Sequence, residues 1–484
     1  MQRLLLADLR RGDGMAIGKA GFKSFIVSRF QRQQPGNFES RDAAFFTSRT
    51  ANTQKPIRSL RWWIGGILFA STVINYIDRQ TLSLLAPYLK IQFHWTNSDY
   101  ANLAIAFRVA YSIGQSVFGR FMDRVGTRRG LTLTVIGYSI VSMATSLARG
   151  FYSFATFRFL LGAGESANWP AATKAVSEWF PKRERALATA FFDSGSSIGG
   201  AIAPFLVLWI YFRWGWRPAF AVPGILGFFW LIAWRWLYYP PEEHARISAQ
   251  ERDLIAKDKI EAQSGVATRV RSRWRDLLKL PQTWGTIVAK TFTDPVFFFI
   301  TEWFPIYLVA KGIELKSGLI AVWIPFIAAD VGSFAAGWFS GHLIQRGMSL
   351  GWARKVPIIY GGIGMTLLIF TIFTTNLYMI AFLFAVVTFT YAGFTIMANT
   401  LPSDLFLSES VASVSGLGGT GTGIGTIVAF KLIGYVSDAR RASGTHAFDP
   451  IMILAGIIPF IGMILVLLLV RNTAATEQGL VRRI

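Results

Sequence analysis

Apolar residues run through this chain in stretches of about twenty, broken by short polar connections and lacking the alternation that marks strands. A helix rises 1.5 Å per residue, so about 20 mostly apolar residues cross the hydrocarbon core of a bilayer. On that rule the pattern predicts twelve membrane helices, at approximately residues 62–88, 100–120, 130–148, 151–173, 186–211, 217–238, 283–310, 318–345, 356–374, 377–401, 411–436 and 448–470. One connection is long: residues 239–282, charged and opening with Pro240 and Pro241, divide the spans six and six. The expected fold is an all-α membrane protein of two pseudo-symmetric six-helix bundles, 62–238 and 283–471, with a short tail at 472–484. Within the central loop, Ala249–Ile260 reads either as a surface helix or as a solvated linker.

Composition agrees. Of 484 residues 52% are hydrophobic and only 16% charged, where soluble domains carry about 25%. The absence of cysteine excludes disulfides and thiolate chemistry, and four scattered histidines argue against a metal centre. The net charge of +22 changes the picture only through its placement. Twelve Lys and Arg lie in residues 1–61 and nine in the central loop, as expected of cytoplasmic flanks rather than of a nucleic-acid-binding domain. Placing the N-terminus inside puts 34 of the 49 basic residues in inner segments. Both termini and the central loop are therefore expected in the cytoplasm, with the bundle in the inner membrane. Residues 1–61 have no apolar core of a secretory signal and are expected to be disordered, with Met15 as an alternative start.

Two short patterns resemble enzyme motifs. Gly195, Ser197 and Gly199 fit G-x-S-x-G, and Gly416, Gly418 and Gly421 fit G-x-G-x-x-G. Each needs a strand–turn–helix context, whereas both lie in apolar spans where small residues let helices approach closely. The chain is not expected to be an enzyme, and no cofactor is implied.

Gly119, Asp123, Arg124, Gly126, Arg128 and Arg129 follow span 2, and Gly337, Arg346, Gly347 and Arg354 follow the same course after span 8. The first set resembles the signature of the major facilitator superfamily, G-x-x-x-D-R-x-G-R-R, with Thr127 as an inserted residue. The resemblance implies two parallel six-helix repeats and a cytoplasmic latch. In it Gly119 permits close helix approach, while Asp123 accepts hydrogen bonds from a helix N-terminus and pairs with arginine. A narrower resemblance is to the anion:cation symporter branch, especially its hexuronate and aldonate transporters. It rests on Asn75 through Arg79, Arg158 through Lys174, Trp179 through Ala186, Thr293 through Pro295, Ala329 through Gly332, and Asn399 through Phe406.

Ionisable residues inside spans face cavities and are functional by default. Asp78 and Arg79 in span 1, with Arg158 and Glu165 two turns apart in span 4, form such a constellation. Burial favours a neutral acid and a neighbouring guanidinium favours its carboxylate, so substrate movement can shift a proton. Arginine grips carboxylates bidentately. The resemblance implies that Arg79 anchors a substrate carboxylate, that Asp78 and Glu165 carry protons, and that Arg158 pairs with one of those acids. It also implies that Tyr76 and Tyr111 meet sugar hydroxyls, and Asn399 matches a position on the second half. Ser415 is a further candidate, although helix packing suits it better. Trp169, Trp303 and Trp323 are candidates for stacking on a sugar ring.

Asp193, Asp294 and Asp330 are additional acids inside spans; Arg108 and Glu302 depart from the resemblance, and Lys290 and Lys431 are expected to add buried positive charge. The expected function is proton-coupled import of a hexuronate or aldonate by alternating access. The expected partners are a small organic anion, a proton and the lipid bilayer, with the chain a monomer. The alternatives are transport of another organic anion, a dicarboxylate or organic phosphate, by exchange or sodium coupling, and a purely structural ion-pair cluster.

Overall fold

The computed structural model describes residues 55–95, 97–263, 274–313 and 315–470. Most of the basic N-terminal stretch, including Met15, and the tail 472–484 lie outside the described residues. No strand occurs among the described residues. The helices are α1 (Leu60–Phe93), α2 (Asn97–Val125), α3 (Thr127–Thr145), α4 (Phe151–Glu165), α5 (Asn168–Trp179), α6 (Lys182–Asp193), α7 (Gly195–Trp214) and α8 (Trp216–Leu237). After the central segment, with α9 (Ala249–Gln263) and the single turn α10 (Trp274–Leu277), come α11 (Pro281–Ala310), α12 (Leu315–Gln345), α13 (Leu350–Met365), α14 (Leu377–Leu405), α15 (Ser408–Ala439) and α16 (Asp449–Leu469). A 3-10 segment, Thr366–Phe373, prolongs α13.

Span 4 is thus two helices, α4 and α5, and span 5 is α6 and α7; the breaks fall at Ser166-Ala167 and at Ser194. Helices α1, α2, α11, α14 and α15 outrun the apolar runs that predict them. The helices turn at Gly126, Gly215, Gly312 and Gly347, all at positive φ, where a side chain would be strained. Among the described residues, five helical stretches are long and apolar enough by composition alone to cross a membrane: Lys182–Trp214, Trp216–Leu237, Leu350–Phe373, Leu377–Leu405 and Gly444–Leu469. Large side chains such as Phe205, Phe229, Ile232 and Phe382 stand outward over half exposed, a pattern suited to lipid and not to water.

The packing of α1–α8 recurs in α11–α16. Helix α1 packs on α7, α2 on α4, and α3 on α8; correspondingly α11 packs on α15, α12 on α14, and α13 on α16. Two seams join the sets, α2 against α15 and α6 against α12. Glycines make both seams possible: Gly119 lies on the Ala412 carbonyl, Gly416 on that of Gln115, and Gly337 on Ala186 and Leu187. In the central segment α9 docks on the N-terminal set. Glu251 accepts the backbone N–H groups of Leu60 and Arg61, both at 3.0 Å, capping α1, and Ile255 is buried in the same core.

The chain has no cysteine, so an introduced Thr420→Cys is a sole label within the α2–α15 seam. Thr420 bonds the Ser112 carbonyl there. Adding Gly416→Val, whose branches collide with the Gln115 backbone, is expected to open the seam and raise thiol labelling severalfold in membranes; unchanged labelling counts against close packing at Gly416.

Candidate functional site

Helices α1, α2 and α4 bring Asp78, Arg79, Tyr76, Tyr111, Arg158 and Glu165 together inside the N-terminal set. Glu165 is 0%, Asp78 2% and Arg158 6% exposed. Arg79 Nε donates to Glu165 Oε2 at 2.8 Å. The Arg79 guanidinium lies 4.3 Å from the Tyr111 ring centre and 5.0 Å from that of Tyr76. Both tyrosines therefore present their faces to a cation, an arrangement that the expected hydroxyl contacts did not include.

Arg158 and Glu165, seven residues apart, are separated by about 10 Å along the helix axis and do not pair. Arg158 rests on Phe107 at 4.8 Å. Its Nε and Nη1, with Asp78 Oδ1 and Glu165 Oε1, are buried without a hydrogen-bond partner among the described residues. Here the structure departs from expectation: Arg79, the expected anchor, is the ion-paired arginine, and Arg158, expected to be paired, has two N–H-bearing nitrogens without a partner among the described residues. The cause is local. Arg79 follows Asp78 by about 100° around α1 and so enters the aromatic cage beside Glu165.

A second polar cluster sits in the C-terminal set. Lys290 and Asp294, one turn apart in α11, pair at 3.0 Å, and Lys290 also donates to Asn399 Oδ1 at 2.8 Å. Asp294 accepts Tyr391 Oη at 3.1 Å and Thr422 Oγ1 at 2.6 Å. One carboxylate thus ties α11, α14 and α15. The spacing of Lys290 and Asp294 was the available signal for the pair. Asn399 belongs to this cluster.

Other expectations resolve individually. Asp330 accepts Ser197 Oγ across the second seam at 2.8 Å, and Ser415 bonds Thr173 at 3.3 Å, a packing contact. Arg108 faces Phe298 and Phe430 of the opposite set at 5.8 and 5.5 Å instead of Tyr111. Lys431 is exposed, which corrects its reading as a buried charge. Trp169 meets Phe192, and Trp303 meets Phe430. The side chains of Glu302 and Trp323 lie outside the described residues.

At the end of α2, Asp123 accepts the backbone N–H of Ser413 at 2.7 Å and of Ala412 at 3.3 Å, near the start of α15. Its ion partner is Lys174 at 2.9 Å, not an arginine. Lys174 also reaches the Ser408 carbonyl. Arg124 and Arg129 are exposed, and Arg128 lies 3.6 Å over the Tyr239 ring while donating to the Arg235 carbonyl. The second seam has a counterpart: Asp404 binds Arg354 at 2.7 Å and Arg185 at 3.2 Å, and Arg354 also donates to the Lys182 carbonyl. Both latches lie at the same end of the bundle and both bridge the two sets, so this end is closed.

The chain matches the Major Facilitator Superfamily model over residues 68–353. This protein belongs to the major facilitator superfamily. It is 30% identical over 426 residues to the hexuronate transporter of Escherichia coli (strain K12), covering 87% of this chain and 97% of that one. It is 32% identical over 313 residues to the galacturonate transporter of Dickeya chrysanthemi, covering 64% and 90%. Among solved structures, the proton:xylose symporter XylE superposes with a TM-score of 0.66 at 14% identity, over 84% of this chain and 95% of that one. That likeness concerns the fold. The superfamily makes this chain an integral membrane transporter and not an enzyme, as its apolar pattern implies.

Proposed function

We propose that the protein imports a hexuronate or related sugar acid together with a proton, by alternating access between bundles 62–238 and 283–471. One observation carries the reading: the buried Arg158 guanidinium, whose Nε and Nη1 have no hydrogen-bond partner among the described residues, lies in one cluster with the Arg79–Glu165 pair and Asp78. A buried guanidinium needs an anion, and a planar carboxylate fits one edge of it. The similarity to hexuronate and galacturonate transporters supports a sugar-acid cargo.

The basic segments place the latched end in the cytoplasm, so the conformation described is closed to the inside. From outside, the substrate carboxylate binds Arg158, and a proton binds Glu165 or Asp78. Protonated Glu165 loosens its hold on Arg79, which then turns to the sugar. Asn399 meets hydroxyls from the second bundle. Rocking separates Asp123 from α15 and Arg354 from the Lys182 carbonyl, the site opens inward, and substrate and proton leave. The transporter works as a monomer in the inner membrane.

Purified protein in liposomes, given labelled glucuronate, galacturonate or galactonate, is expected to accumulate at least one when the interior is made alkaline. Uptake that ignores the pH gradient would remove proton coupling and leave exchange; a sodium requirement would replace the proton. No uptake of any of the three would remove the sugar-acid cargo.

A further inference from the structure

Asp78 and Arg79 are neighbours, yet they face different company. Arg79 points to the aromatic rings of α2, on the side where substrate is proposed to bind. Asp78 points to α3, where the Ser142 hydroxyl faces it. Along α1, Ser71, Asn75 and Asp78 are spaced by four and three residues, so they form one stripe; they are 1%, 1% and 2% exposed. Opposite them on α3, Tyr138 and Ser142 are spaced by four and are equally buried. The Tyr138 hydroxyl faces Asn75 and Ser71. Toward the latched end, Ser71 Oγ donates to Asn168 Oδ1 at 2.6 Å, and Asn168 Nδ2 donates to Thr72 Oγ1 at 3.2 Å.

This stripe is polar where a helical bundle is ordinarily apolar, and it is not satisfied by its neighbours. Both Nδ2 and Oδ1 of Asn75, and Asp78 Oδ1, lack a hydrogen-bond partner among the described residues. Buried polar groups in native proteins are nearly always bonded, and water is their usual partner where side chains do not suffice.

We propose that α1 and α3 enclose a short water-bearing proton route, running from Asp78 past Asn75 and Tyr138 to Ser71 and Asn168. It would span seven residues of α1, about 10 Å along the axis, toward the cytoplasmic end. It is separate from the passage between the bundles that the sugar acid takes. The charged groups around Asp78 are Glu165, Arg158 and Arg79; Glu165 also faces Tyr138, midway along the stripe. The proton leaves the Asp78 carboxyl, hops between waters held by Asn75 and Tyr138, and is delivered to cytoplasmic water; Asp78 remains as the carboxylate. The two cargoes of the proposed symport therefore part at α1, one on each face.

The inference rests on the proton-coupled reading above, and its test has an arm that needs no substrate. In liposomes, Asn75→Leu fills the stripe with an apolar side chain, and Tyr138→Phe removes one hydroxyl while keeping the shape. Each is expected to leave exchange of labelled for unlabelled galacturonate at the wild-type rate, while proton entry accompanying uptake, read by an internal pH dye, falls about tenfold. In substrate-free protein, the carboxyl stretch followed by infrared spectroscopy after a pH jump should decay about tenfold more slowly in both variants. Wild-type proton entry and infrared rates in both variants would overturn the route, as would an equal loss of exchange and proton entry. Slow infrared decay combined with no galacturonate transport by the wild type would support the route and overturn the cargo.

Discussion

Glu165→Gln is expected to abolish gradient-driven accumulation of substrate while exchange continues. Glu165 is fully buried and forms its ion pair with Arg79, 2.8 Å away. Glutamine keeps the size of the side chain and an oxygen for the Arg79 N–H, but it cannot take or release a proton. In a one-proton symporter each pH unit across the membrane is worth about 1.4 kcal/mol, or about tenfold accumulation. The variant should fall to an internal concentration equal to the external one at any imposed gradient. Counterflow, in which loaded substrate returns for substrate entering, moves no net proton and should persist. Reduced affinity is expected as well, because the Arg79 charge then lacks its counter-ion; Glu165→Ala, with neither charge nor oxygen, separates this contribution. Retained accumulation by Glu165→Gln would assign coupling to Asp78 alone.

What was legible in the sequence was what depends on local periodicity. Runs of about twenty apolar residues marked the helices, and intramembrane charge marked Asp78, Arg79, Arg158 and Glu165, because the expense of burying charge makes it rare there. Partner choice was not legible. Whether Glu165 takes Arg79 or Arg158 depends on which face of α1 meets α4, a tertiary relation that no spacing within one helix encodes. The same holds for Asp123 and Lys174, 51 residues apart, and for Arg354 and Asp404, 50 apart. Lys431 was misread because an apolar stretch does not disclose which of its faces is buried. The breaks at Ser166-Ala167 and Ser194 escaped notice because hydropathy does not change across them; small residues and Pro170 were the faint signs. The polar stripe Ser71, Asn75 and Tyr138 has no charge to announce it, and became visible only when α1 and α3 were seen face to face.

Replacing Arg158 with lysine is expected to weaken substrate binding about 100-fold, more than the same change at Arg79. A charge-assisted hydrogen bond contributes about 1.5–3 kcal/mol, and a carboxylate held along one edge of the guanidinium uses two in one plane. Lysine keeps the charge but offers a single point of contact and a strongly hydrated head, so most of the second bond and the orientation are lost. Arg79 already spends its Nε on Glu165 and its face on Tyr111, which leaves less of it for the carboxylate in this conformation. Equilibrium binding of labelled galacturonate to both variants in detergent distinguishes the two arginines, with thermal unfolding as a control for the altered cavity. If Arg79→Lys proves the more damaging and Arg158→Lys binds normally, the anchor is Arg79, and the Arg158 guanidinium must find its anion in Asp78 when the halves move. That outcome would also reverse the order of events: the carboxylate could not be gripped until Glu165 had taken its proton and let Arg79 go, making protonation a precondition for binding and no longer a parallel step.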